Sequence, residues 1–139
     1  MTEAVIRREA QCELERWDDP VRGAVSWRTL FSGDRTPTSE LTMGVAELPP
    51  GIEGPGSPHR HTQPEVYYIL AGHGTVWVDG ETHDVSEGSA VFIPGDAPHY
   101  ARNTGLGVMR LLYIFAVDSF ADIEYQFPAA DGSFGPLPA

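Results

Sequence analysis

The segment His59-Arg60-His61-Thr62-Gln63-Pro64-Glu65 carries two histidines and a glutamate at spacings that suit extended backbone. Histidines separated by one residue share a face of a strand, because side chains alternate along it. Glu65 lies an even number of residues beyond both, so it returns to that face after a short bend at Thr62-Gln63-Pro64. Two imidazoles and a carboxylate converging on one point make a ligand set for a divalent first-row metal: Fe(II), Mn, Ni, Co or Zn. His99, in the corner Pro94-Gly95-Asp96-Ala97-Pro98-His99, is a candidate fourth ligand from a different strand. Four protein ligands on a six-coordinate ion leave positions open for substrate, water or dioxygen. The other two histidines serve as controls. His73 sits in a Gly-flanked turn and His83 in a hairpin arm, and both are expected to be exposed.

On either side of this segment the chain reads as short strands and turns. Val25 to Phe31 is a strand with Val25, Trp27, Thr29 and Phe31 on one face. Leu41 to Leu48 is a second, with Leu41, Met43 and Val45 in one phase, and Pro49 to Pro58 is a Gly/Pro-rich loop expected at the mouth of a barrel. Val66 to Leu70 is wholly apolar or aromatic, as for a strand buried on both faces. Asp79-Gly80 is a two-residue hairpin signal, and Glu87-Gly88 marks the next turn. His99 to Asn103 and Val108 to Val117 follow; if Arg110 points outward, Met109, Leu111, Tyr113 and Phe115 point inward. Asp118 to Phe127 is expected to be a short turn or helix followed by a closing strand.

About ten short strands with regular turns predict an all-β sandwich or barrel. The expected organisation is an N-terminal extension over residues 1–24, a barrel over 25–127, and a poorly ordered tail over 128–139. The extension is helix or strand, packing on the barrel or swapping with it. Glu9 to Trp17 carries good helix formers, and Val5-Ile6 reads equally well as an edge strand.

With 139 residues, 41% hydrophobic and 21% charged, the chain is long enough for a real core and globular in composition. Its net charge of -11 repels phosphate backbones and anionic membranes, so neither nucleic acid nor membrane is an expected partner. Cys12 is the sole cysteine, which fits a reducing compartment. No long apolar stretch follows the basic pair Arg7-Arg8, and a cytoplasmic protein is expected.

Within residues 51–103 the sequence resembles the cupin superfamily. His59-x-His61-x-x-x-Glu65, then six residues and Gly72, resembles the first cupin motif; Gly88, five residues, Pro94, then His99 and Asn103 resembles the second. The resemblance implies a jelly-roll β-barrel, often dimeric, with a metal held inside by His59, His61, Glu65 and His99. Two corners depart from the pattern. Glu53 stands where a glycine is usual, with Gly51, Gly54 and Gly56 around it, and Asp96 stands in place of another, just after Gly95.

Tyr67, two residues past Glu65, shares its inward face, where a phenol either donates a hydrogen bond or acts as a base, or simply packs. Trp27, Met43, Asn103 and Tyr113 are candidate pocket walls, with ordinary core or turn-stabilising roles as the alternative. More narrowly, Glu65-Val66-Tyr67-Tyr68, Tyr125 and Leu112 to Phe120 are similar to small bacterial cupin lyases that cleave dimethylsulfoniopropionate to dimethyl sulfide and acrylate. That resemblance implies Tyr67 as the base that removes the α-proton, with Tyr125 as a helper.

The expected function is therefore a metal-dependent enzyme acting on a small, carboxylate-bearing substrate, in first place a lyase performing β-elimination. An Fe(II) dioxygenase, an isomerase or cyclase, and a non-catalytic ligand-binding domain are the alternatives, because a fold alone does not choose among them.

Overall fold

A computed structural model describes residues 3–50 and 58–136. Eleven strands run in order among the described residues: β1 (Leu14–Asp19), β2 (Gly23–Phe31), β3 (Thr42–Leu48), β4 (Glu65–Ala71), β5 (His73–Val78), β6 (Glu81–Ser86), β7 (Ala90–Ile93), β8 (His99–Asn103), β9 (Met109–Phe115), β10 (Phe127–Pro128) and β11 (Phe134–Gly135). They form a six-stranded sheet ordered β1-β2-β3-β9-β4-β7, a three-stranded sheet ordered β6-β5-β8 and a two-stranded hairpin of β10 and β11. All of the strand pairings are antiparallel, and β9, last of the long strands, inserts between β3 and β4. This nonsequential order is that of a jelly roll.

The turns follow from the residues in them. Asp79 and Gly80 take φ of 45° and 94°, the paired positive values of a type I′ hairpin. Gly72 (φ 83°) is the single residue between β4 in the six-stranded sheet and β5 in the three-stranded one. β9 alternates as expected, with Met109, Leu111, Tyr113 and Phe115 buried. Arg110 turns outward and pairs with Glu47 (2.9 Å) and Glu9. Across the sheet, Thr29, Gly44, Tyr113 and Tyr67 lie in one register row on the inner face.

Four expectations are corrected. The N-terminal segment is neither a helix from Glu9 to Trp17 nor a strand at Val5-Ile6. A single 3-10 turn, Glu9–Gln11, precedes β1, which pairs with β2 in the main sheet. Glu15, Trp17 and Asp19 alternate toward the interior there, and β pairing overrides the local helix propensity.

The run Val66 to Leu70 is not buried on both faces: Tyr67 and Ile69 are buried, while Tyr68 is exposed. Its outer face is covered by no other layer among the described residues. Met43 lies in the opposite phase to the pocket, in an outward row with Ile114, Val66 and Phe92. Both phases of β3 are apolar, so hydrophobicity alone left its orientation open. The inward positions are the small Gly44 and Ala46, which leave room for aromatic rings from neighbouring strands.

Finally, residues 128–136 are ordered in pairing: Phe127–Pro128 returns against Phe134–Gly135. The rest of the expected tail, residues 137–139, lies outside the described residues, as do 51–57 of the expected mouth loop with Glu53 and its neighbouring glycines.

Candidate metal centre

His59 and His99 face each other across an isolated antiparallel bridge. The His59 amide donates to the His99 carbonyl (3.1 Å) and the His99 amide to the His59 carbonyl (2.9 Å). This is how β8 is brought against the His59-Arg60-His61 segment. The corner before β8 closes the same way: the Asp96 amide donates to the His61 carbonyl at 2.8 Å. Asp96 itself adopts φ 65°, and Gly95 packs on the Thr62 carbonyl with no room for a Cβ. The shifted glycine of the second motif is thus explained. Gly95 satisfies the close approach, and aspartate tolerates the left-handed turn. After the bend at Thr62-Gln63, β4 begins at Glu65 and turns its carboxylate back to the same point.

Ring nitrogens of His59, His61 and His99 lie within 4.8 Å of one another. Glu65 Oε1 is 3.2 Å from Nε2 of both His61 and His99. All four expected ligands therefore gather in one buried cluster. His73 is exposed and His83 half-exposed in its side chain, both far from the ligand role.

The tautomers follow from the carbonyls. His61 Nδ1 donates to the Gln63 carbonyl and His99 Nδ1 to the Ala97 carbonyl, each at 2.8 Å, because a carbonyl can only accept. That turns Nε2 of each ring toward Glu65, with the outer hydrogen bond to a backbone carbonyl that is typical of metal-bound histidine. Burial, and then the neighbouring His99 and His61, push the His59 pKa well below 6.5. Burial raises the Glu65 carboxyl, but the facing imidazoles outweigh that and hold it below 4.5. Three imidazoles gathered around one carboxylate are a ligand set that a cation completes. The donor set fits a divalent transition metal.

Beside the cluster lies a cavity of about 120 Å³. That is well below the roughly 300–1,000 Å³ of drug-sized sites, so it suits a small organic molecule. Trp17, Trp27, Tyr67, Tyr113 and Tyr125 supply much of its wall, with His59 and Glu65 at the metal end. Met43 is not part of the wall; Ala46 and Leu48 of the same strand are.

Asn103 reaches the wall, but its amide is engaged as a brace. Nδ2 donates to the Leu48 and Gly107 carbonyls (2.8 Å each), and Oδ1 accepts from the Gly105 amide (2.9 Å). Trp27 Nε1 and Tyr113 Oη are buried without a hydrogen-bond partner among the described residues.

Tyr67 is buried, its ring centroid 6.2 Å from that of His99. Tyr125 is carried in by a backbone bridge between Arg60 and Gln126, and its ring lies 5.2 Å from both His59 and His61. Burial, and then the Glu65 charge, push both phenols well above 10. The sequence reading missed Trp17, Arg22 and Phe120 as wall residues. The alternation Glu15, Trp17, Asp19 before the Asp19-Pro20 turn was the available signal for Trp17.

The family model for the cupin domain matches residues 44–115. The chain belongs to the cupin family. It is 44% identical over 112 residues to the dimethylsulfoniopropionate lyase DddW of Ruegeria pomeroyi, covering 81% of this chain and 72% of that protein. Among solved structures it resembles a cupin-2 domain protein from Rhodospirillum rubrum (TM-score 0.70, 22% identity, 94% of this chain and 84% of that one). It also resembles the DMSP lyase DddQ of R. pomeroyi (TM-score 0.52, 27% identity, 58% of this chain and 40% of that one). No helix of the described residues is long and apolar enough to cross a membrane.

Proposed function

We propose that this chain is a metal-dependent lyase that removes a β-leaving group from a small carboxylic acid, with dimethylsulfoniopropionate as the first substrate to test. The observation that carries the proposal is a match between chemistry and kinship. His59, Glu65, Tyr67 and Tyr125 border one small cavity, with His61 and His99 grouped beside His59, in a chain 44% identical to a dimethylsulfoniopropionate lyase.

A divalent ion held by His59, His61, Glu65 and His99 would supply positive charge that acidifies the α-C–H of a carboxylate and lowers the pKa of a nearby phenol. The chain's own residues do the rest. Tyr67 stands two residues past Glu65 on the same face and, as phenolate, takes the α-proton. The α-carbon electron pair forms the C=C bond, and the C–S bond breaks with its pair leaving on the neutral sulfide. Tyr67 then returns its proton to solvent. Tyr125, which lines the same cavity, holds the substrate against Tyr67. The aromatic wall excludes water from the reacting carbon.

The test is incubation of metal-loaded protein with dimethylsulfoniopropionate, following acrylate, headspace dimethyl sulfide and dissolved oxygen together. Elimination yields acrylate and sulfide in equal amounts with no oxygen consumed. Oxygen uptake without sulfide release would replace this reading with the oxygenase one.

We also infer a homodimer in the reducing interior of the cell. The outward row Phe92, Val66, Ile114 and Met43 supports it, with Phe92 67% exposed. A second copy would cover that face. Light scattering of the parent against Phe92→Glu checks it: a dimer that becomes a monomer supports the inference, and a monomeric parent contradicts it.

A further inference from the structure

The β1–β2 hairpin contributes to the cavity wall, and one charged side chain on it is held in an unusual way. Arg22 lines the cavity while its side chain remains 38% exposed, which puts it at the boundary with solvent. Asp19 fixes both the turn and the guanidinium. Its Oδ1 accepts from the Val21 amide (3.0 Å) and the Arg22 amide (2.8 Å), and its Oδ2 accepts from Arg22 Nε (2.6 Å). Beneath the guanidinium lies the Trp17 ring, with the Arg22 Cζ 5.5 Å from its centroid. Trp17 is itself braced edge-on by Trp27 (5.4 Å) and Tyr125 (5.1 Å).

Of the three guanidinium nitrogens of Arg22, only Nε has a hydrogen-bond partner among the described residues. The two terminal Nη groups, the edge that grips a carboxylate in a fork, are left for a ligand. An arginine serving only as a hairpin clamp has no need to face the cavity. The charge of the surroundings points the same way. The chain carries a net -11, so the long-range field on an approaching carboxylate is repulsive. Along the cavity wall the charged residues are Arg22, Glu65 and Arg102. Glu65 is taken up by the histidines, and Arg102 sits on β8 in the opposite phase to the inward Asn103. Arg22 is the positive charge on this wall that hydrogen bonds to Asp19 hold in place.

We propose that Arg22 is a carboxylate-capture residue: it collects the substrate's carboxylate at the cavity mouth before the molecule moves in to the histidines. Trp17 separates the two positions, its ring 6.2 Å from that of His59 on the inner side and under the guanidinium on the outer. Arg22 therefore governs capture and not the bond-breaking step. The inference deepens the proposed lyase reading, since it assigns how a carboxylate substrate enters.

Two measurements test it separately from that reading. Propionate, which cannot eliminate, is titrated into the metal-free protein while tryptophan fluorescence is followed, with propionamide as the uncharged control. The parent is expected to bind propionate and not propionamide. Arg22→Gln is expected to weaken propionate binding about tenfold or more, and Arg22→Lys to restore part of it. In turnover, Arg22→Gln lowers kcat/KM by a similar factor and leaves kcat unchanged.

Equal propionate affinity in parent and Arg22→Gln overturns the proposal, as does a lowered melting temperature with unchanged KM. If Arg22→Gln fails to fold, the comparison of parent, Arg22→Lys and propionamide still decides. A parent that binds propionate through Arg22 yet releases no sulfide overturns the lyase reading alone.

Discussion

Gly44 on β3 and Tyr113 on β9 are register partners, and the phenol ring of Tyr113 occupies the space that a side chain at position 44 would need. The glycine lets a large ring lie flat on the inner sheet face and still leave a cavity above it. Gly44→Ala places a methyl group on that ring and within 2.8 Å of the Arg28 carbonyl. The expected cost is about 1–3 kcal/mol of stability, as for other overpacked interiors. Calorimetry is expected to show a melting temperature several degrees lower, and an unchanged value would mean that the ring is free to move aside.

Removing one ligand is expected to empty the metal site without unfolding the chain. His99→Ala takes away one of the two Nε2 atoms that face Glu65. Metal affinity is expected to fall by at least about 100-fold, beyond the usual loss for an outer-sphere partner. Elemental analysis after dialysis checks it, with circular dichroism showing that the strands persist.

Tyr67→Phe separates metal binding from proton transfer. The ring and its packing are kept and only the hydroxyl is lost. Metal content is expected to equal that of the parent, while kcat falls by about 10²–10⁴-fold. Retained turnover would move the base elsewhere, with Tyr125 the next to replace.

Glu15 gives a pH-dependent contribution of known sign. Burial raises its carboxyl, but hydrogen bonds from Arg35 and from Thr29 outweigh this, so its pKa in the folded chain lies below 4.5. The bonds to Arg35 and Thr29 are 2.8 Å each. A depressed folded-state pKa adds stability above the unfolded value of about 4.5, and that stability is lost as pH falls through the folded value. Glu15→Gln is therefore expected to melt lower than the parent at pH 7, with the gap closing below pH 4.5. A gap constant from pH 7 to pH 3 would show that the charge has no part in it.

That His59, His61, Glu65 and His99 would come together was legible because it depends on alternation over a few residues. His59, His61 and Glu65 need only extended backbone and one bend, and His99 needs only the proline corner before it. The inward phase of β9 was legible for the same reason: Arg110 is a single charge that fixes the orientation of a whole strand. Met43 was not, because β3 is apolar in both phases and its orientation is decided by rings from β9 and β2. The outer face of Val66 to Leu70 misled in a related way. Its apolar residues reflect a surface open in the single chain and not a second covering layer. The contributions of Trp17 and Arg22 depend on an edge strand whose pairing with β2 overrides its own helix propensity, which local composition does not reveal.

Diffraction from crystals of the protein loaded with Mn(II) or Fe(II), recorded on either side of the metal's absorption edge, examines the proposed centre itself. A single anomalous peak is expected among His59, His61, His99 and Glu65, about 2.0–2.2 Å from a donor atom of each. A map without a peak there, or with the metal bound by other residues, would contradict it.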